Sequence, residues 1–238
     1  MFVQIIIASL ILLIIYVGVV EKFTDTIFFL SIKETQEFIS FDEDQFIKTM
    51  TKYDIYARTQ QYIQQLYINR IHNVCSYFSI YEKYYISNVV NKINKKLRNV
   101  NIPWKFAKTE GDVYENGFPH TRKDIIFLTS KHLKYTEEAF IKLLIHEKIH
   151  IYQRYNKAKM GVYLKKLGYT IHCHKETFIK RRSNPDLDDY IYKDPSGKIM
   201  ICEYQNEHPK NLMDVMHMNT KYEHPYEMLS YISENLFY

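Results

Sequence analysis

Glycine and proline are both sparse in this chain of 238 residues, six of each. No proline precedes Pro103, and no glycine lies between Gly18 and Gly111. The first hundred residues therefore lack the usual loop punctuation, which points to helices there rather than to turn-rich β structure. Cysteine is just as scarce. Cys75, Cys173 and Cys202 are an odd number with no Cys-x-x-Cys, which excludes a disulfide framework, a thiolate zinc site and thioredoxin-like chemistry. Free thiols in a reducing compartment fit that count. A basic stripe is missing as well. The formal charge is only +5, and the densest cluster (Lys92, Lys95, Lys96, Arg98) is interrupted by Ile93, Asn94 and Leu97. It reads as a solvated helix face, and no nucleic-acid partner is expected. The 22 tyrosines, alongside abundant Ile, Lys and Asn, match coding from an AT-rich genome and are not taken as a recognition device.

Hydrophobic residues make up 46% of the chain, ample for a core. The longest apolar run comes first: residues 2–20 carry no charge and are long enough to span a bilayer as a helix. No basic residue precedes them and no small-residue cleavage site follows, so a retained single-pass anchor (residues 1–21) is expected over a signal peptide. Lys22 and Lys33 after the run place the C-terminal part on the cytosolic side. Residues 22–101 read as a helical stalk or subdomain, or as a prosegment over a cleft. Ser40-Phe41-Asp42 offers a helix start, Phe46, Ile47 and Met50 an apolar face, and residues 81–97 a second helix.

Texture changes at Pro103. Residues 104–108 and 124–129 read as strands, with a loop between them holding Asn116-Gly117 and Pro119. A helix over 137–157 follows, then a helical stretch from Gly161 and an extended one from Tyr169. Tyr190-Ile191-Tyr192, Asp194-Pro195-Ser196-Gly197 and Ile199-Met200-Ile201 make a hairpin. The order of elements predicts an α+β fold in residues 102–238.

The helix over 137–157 contains His146-Glu147-Lys148-Ile149-His150. Histidines four apart project from one helix face within reach of a single ion, and zinc suits neutral imidazole nitrogens. Glu147, one residue round from His146, can reach a water beside that ion and act as general base. A third protein ligand is needed. A histidine close behind the motif is excluded, because Gln153 and Asn156 stand where one arrangement needs Gly and His. A glutamate from a later helix is the other solution, and Pro225 starts such a helix with His224 as an unusual cap and Glu227 in its first turn. Glu223, His208, His217 and His224 remain rival ligands, whereas His172 and His174 flank Cys173 and read as surface residues.

On these motifs the chain resembles the glutamate-ligand zincins, the gluzincin-type zinc metallopeptidases. Their second helix often reads Glu-x-x-Ala-Asp, and this one reads Glu227-x-x-Ser230-Tyr231, keeping the small residue and losing the acid that orients a histidine. With Pro119-His120-Thr121, Asn184-Pro185-Asp186 and Pro225-x-Glu227, residues 104–234 also look like uncharacterised metallopeptidase-like proteins of large DNA viruses. The resemblance implies a zincin-like fold, a small mixed sheet on an active-site helix and a second ligand helix. It implies zinc held by His146, His150 and Glu227, with Glu147 as base. Peptide or protein substrate would lie extended along the strand over 124–129 or its neighbour. His120, His217, Tyr222 and Tyr226 are candidate oxyanion donors. The alternative is a catalytically silent, membrane-tethered structural or interaction protein; a zinc amidase would share the site.

Overall fold

The computed structural model describes residues 27–96, 102–216 and 220–236. The expected anchor and His217 lie outside the described residues. Among those described, no helix is long and apolar enough to cross a membrane.

The fold is α+β. In chain order the elements are β1 (Ile27–Phe29), α1 (Ile32–Phe41), α2 (Lys52–Thr59), α3 (Gln64–Val74), β2 (Cys75–Ser76), α4 (Ile80–Lys96), β3 (Trp104–Thr109), β4 (His120–Arg122), β5 (Ile125–Leu128), α5 (Glu137–Tyr155), α6 (Lys157–Lys166), β6 (Thr170–His174), β7 (Tyr190–Lys193), β8 (Ile199–Met200) and α7 (Pro225–Leu236). The main sheet runs β1-β3-β5-β4, with β1, β3 and β5 parallel and β4 antiparallel. β2 pairs antiparallel with the far end of β3.

Strand alternation explains why this sheet is covered on both faces. Trp104, Phe106, Ile126 and Leu128 point to one side, where Ile86, Val89, Val90 and Ile93 of α4 and Phe140, Leu144, Ile145 and Ile151 of α5 close over them. Ala107, Ile125 and Phe127 point to the other, against Ile39 of α1, Tyr67 and Ile71 of α3, and Ile47. Each such large apolar side chain, when fully buried, stabilises by about 1.5–3 kcal/mol. A second lobe, the sheet β6-β7-β8 with α6 and α7, packs around Met160, Leu164, Tyr192, Tyr226 and Leu229.

Two local expectations change, and a third narrows to one of its alternatives. The segment read as a stalk or subdomain contributes β1 and β2 to the same sheet as β3, so the sheet runs across the boundary expected at residue 101. Ser40-Phe41-Asp42 ends a helix instead of starting one: α1 begins at a Ser31 capping box, and Asp42 closes it in the left-handed region at φ 44°. The Asp42 carboxylate accepts the amides of Ile47 (3.0 Å) and Lys48 (2.8 Å), so Phe46 and Ile47 reach the core from a turn. Finally, β5 is an inner strand, and the edge ahead of α5 is its neighbour β4.

Candidate metal centre

α5 begins where its sequence says it should, with the Thr136 hydroxyl accepting from the Ala139 amide (3.3 Å) and two glutamates in the first turn. Its middle carries His146 and His150, whose Nε2 atoms lie 3.1 Å apart. α7 packs along α5 with Ser230 and Ser233 buried. It brings Glu227 Oε2 to 3.5 Å from His146 Nε2 and 3.8 Å from His150 Nε2. These three side chains form the only group among the described residues whose ligand atoms could close on one metal ion.

The hydrogen bonds behind the ligands fix what each atom can offer. His146 Nδ1 lies 2.9 Å from Glu234 Oε2 and so donates to it. His150 Nδ1 lies 3.0 Å from Gln153 Oε1, while the Gln153 amide nitrogen donates to the Tyr226 carbonyl (3.1 Å). The Gln153 oxygen is therefore the end facing His150, and that ring too must donate from Nδ1. In the neutral rings both Nε2 atoms are left as lone pairs, facing each other and a carboxylate oxygen. Asn184 donates to Glu227 Oε1 (3.0 Å) and Glu223 Oε1 (2.8 Å), and Arg182 holds Glu223 (2.9 Å). Oε2 of Glu227 is thus the oxygen turned to the histidines.

Three acceptors with no donor among them repel one another unless a cation sits between. The titration of the groups expresses the same demand. Burial disfavours a charged His146, but the hydrogen bonds of Glu227 and Glu234 outweigh it and raise the imidazole to about 10. At Glu227 burial is outweighed by His150 and His146, and the carboxyl falls to about 2. One positive charge belongs here, carried by a proton or a metal. A tetrahedral ion with bonds of about 2.0–2.1 Å has ligand-to-ligand edges of about 3.3 Å. The observed edges of 3.1, 3.5 and 3.8 Å bracket that value, so the residues fit zinc.

Comparison with protein-family models, with curated proteins and with solved structures finds no match. The site has to be read from its own geometry.

Glu147 is 3% exposed, and its Oε2 is buried with no hydrogen-bond partner. Burial first, and the nearby Asp186 carboxylate second, push its carboxyl well above the usual range. It lines, with His146, Glu227 and Glu234, a cleft of about 630 Å³ whose apolar walls include Phe118, Tyr135, Leu143, Met213, Tyr222 and Tyr231. Tyr231, in the place of the lost acid, sets its ring edge-on to His146 at 4.7 Å.

The oxyanion candidates separate. Tyr222 lines the cleft and packs against Tyr231 at 5.4 Å. His120 also lines it, but its ring is stacked on Phe127 at 5.0 Å and only 3% of the residue is exposed. Tyr226 is buried in the second lobe and turns its hydroxyl to Asp188, while Glu227, one residue round α7, is the side chain that reaches His146 on α5. The rival ligands among the described residues are spent elsewhere. Glu223 is held by Arg182 and Asn184. His224 caps α7, accepting from the Tyr226 amide at Nδ1 (3.1 Å) and pairing with Asp188 (3.2 Å). His208 packs on Tyr56 and Tyr62, and His172 and His174 lie on β6, away from the cleft.

Sequence reading missed Glu234, and it named Gln153 and Asn184 without assigning either a role at the site. Glu234 was recoverable, since two helical turns separate it from Glu227 on one face, and Gln153 lies three residues from His150. Asn184 reaches Glu227 from a distant loop, and no spacing announces it.

Proposed function

We propose that this chain is a zinc-dependent metallopeptidase of zincin type, tethered to a membrane by its first 21 residues. The observation that carries the reading is the set of three converged lone pairs, each backed by its own hydrogen bond, next to a buried glutamate that binds none of them. His146, His150 and Glu227 would hold the ion, which supplies Lewis acidity toward a substrate carbonyl and toward water. Glu147 takes the proton of the attacking water and passes it to the leaving amine. Phe118, Leu143 and Tyr222 keep bulk water off the reacting atoms and offer an apolar bed for side chains beside the scissile bond. Tyr231, edge-on to His146, and Tyr222, packed on Tyr231, line the cleft and are the tyrosines offered to the oxyanion.

The test is a peptide library incubated with the metal-loaded protein, with and without chelator. Hydrolysis should require metal and vanish in Glu147→Gln, which keeps its zinc. A zinc-loaded Glu147→Gln protein that still cleaves would refute the base.

One observation favours the silent alternative. β4 is the sheet edge, yet at its middle residue the outward backbone groups are already taken. The Thr121 amide donates to Asp186 Oδ1 (2.7 Å), and its carbonyl accepts from Arg154 (3.5 Å). Main-chain pairing of a substrate is therefore confined to the segment ahead of β4, where Pro119 has no amide to give. Zinc binding with no cleavage across the library would make the centre a structural staple.

A further inference from the structure

The first two turns of α4 carry the most exposed apolar patch on the described surface. Ile80 is 84% exposed, Tyr81 86% and Tyr84 69%, with Tyr77 just before the helix at 66%. Apolar residues scattered singly need no explanation, but three on one helix face, with a fourth exposed just ahead of the helix, do. The fold does not use them, because α4 buries its opposite face, Ile86, Val89, Val90 and Ile93, against β1 and β3. On the flank of this face, toward β1, Lys83 is exposed, while Glu82 turns inward to Lys108 (2.9 Å). The patch is therefore aromatic with one lysine at its rim.

Its position in the chain says what covers it. Residues 2–20 are uncharged, and residues 21–26 link them to β1; six residues reach at most about 20 Å. Phe29 of β1 packs on Phe78 with ring centroids 5.3 Å apart, and Lys83 lies over the Phe29 ring at 5.7 Å. The patch thus adjoins the strand where the leading segment enters the fold, inside the reach of that tether.

We propose that the outer face of the first two turns of α4 lies on a lipid bilayer, with Tyr77, Ile80, Tyr81 and Tyr84 at headgroup depth and Lys83 among anionic headgroups. Tyrosine suits that depth, since its ring is apolar and its hydroxyl stays wet. Lysine adds attraction to acidic lipid, as in helices that rest in the membrane plane. The inference rests on residues 2–20 entering the same bilayer, and it adds an orientation: the α4 surface faces the lipid and fixes how the domain stands on it.

The experiment uses the full chain in phosphatidylcholine vesicles containing a minority of phosphatidylserine. Tyr81→Trp supplies the probe, and Val162→Trp on the exposed face of α6 the control. The single native tryptophan, Trp104, is 3% exposed and sets the background measured in the parent. The expected result for the Tyr81→Trp chain is co-flotation with vesicles, quenching of the added fluorescence by acyl-brominated lipid, and about twofold or greater protection of it from acrylamide. The fluorescence added by Val162→Trp should respond to neither. A chain that fails to float overturns the anchor and the proposal with it. A floating Tyr81→Trp chain whose probe stays open to acrylamide and indifferent to brominated lipid overturns the α4 face alone. Protection from acrylamide without lipid quenching, growing with protein concentration, overturns it in favour of a second copy of the chain on this patch.

Discussion

Removing Glu234 probes the centre without touching a ligand. Its carboxylate lies 2.9 Å from His146 Nδ1, two turns after Glu227 on α7, and replaces the acid that Tyr231 lacks. Loss of such an orienting partner lowers metal affinity by about 10–100-fold, or roughly 1.4–2.7 kcal/mol. Glu234→Ala should therefore weaken zinc binding by that factor in competition with a chromogenic chelator. Glu234→Gln, which keeps an acceptor oxygen but no charge, should fall between parent and alanine. Because metal binding stabilises only the folded state, the same loss appears in unfolding. At fixed free zinc, the zinc-induced rise in Tm should shrink by about 3–10 °C in Glu234→Ala. Glu234 also helps hold a proton on His146 when no metal is bound, so the metal-free Glu234→Ala protein should melt somewhat lower than the parent, and the zinc-induced rise, taken within each protein, isolates the effect on the metal. An affinity unchanged within about twofold, in a protein where His146→Ala abolishes binding, would show that Glu234 merely packs against the ring.

The other expectations concern the parts around it. Asn184→Ala frees the second oxygen of Glu227 and should cost about tenfold in zinc affinity, read by the same chelator competition. His146→Ala should lose the metal outright by elemental analysis. Arg58→Met leaves Glu115 buried without its counter-ion and should destabilise by about 3–5 kcal/mol in urea unfolding. In the parent, burial would raise the Glu115 carboxyl, but Arg58 more than offsets it and holds it below the carboxylate range. A lowered folded pKa gives stability that is present above the unfolded value, about 4.3, and lost as pH falls below it. The parent's stability should fall as acid takes the pH down through that region, whereas in Arg58→Met unopposed burial raises the Glu115 carboxyl, the sign of its contribution reverses, and the deficit relative to the parent should shrink as the pH falls.

The legible parts of this protein were those whose signals are local. The pattern in α5 and the Pro225 start of α7 announced two helices and the face each would present, and Asp194-Pro195-Ser196-Gly197 announced the turn between β7 and β8, with Gly197 at φ 85°. What stayed hidden depends on distant pairing. β1 and β2 are three and two residues long, too short for any periodicity, and they exist because β3 offers them, one after the other, the edge that β5 leaves open. Asp42 carried the same letters as a helix start and serves as a stop, since a short acid can cap either end of a turn and only the fate of Ile47 decides which. Glu115 gave no signal at all. It is placed by consecutive left-handed residues, Glu115, Asn116 and Gly117, at the last of which a Cβ would meet the Gly111 carbonyl at 2.7 Å.

That buried glutamate also bears on residues 27–96. Arg58 of α2 donates to Glu115 (2.6 Å), to the Ser183 carbonyl (3.1 Å) and to Asp54 (3.3 Å), and Asp54 in turn accepts from the Ser183 amide and hydroxyl, both at 2.8 Å. Ser183 is the residue before Asn184, and Asn184 sets the free oxygen of Glu227. A prosegment can be cut away without disturbing the site it covers, but α2 holds the loop that aims a ligand, and β1 and β2 complete the sheet on which α5 rests. Burying a charged pair of this kind costs several kcal/mol in desolvation and is retained where it specifies position. Here the position it specifies is that of the loop beneath the third ligand, which makes residues 27–96 part of the scaffold of the centre.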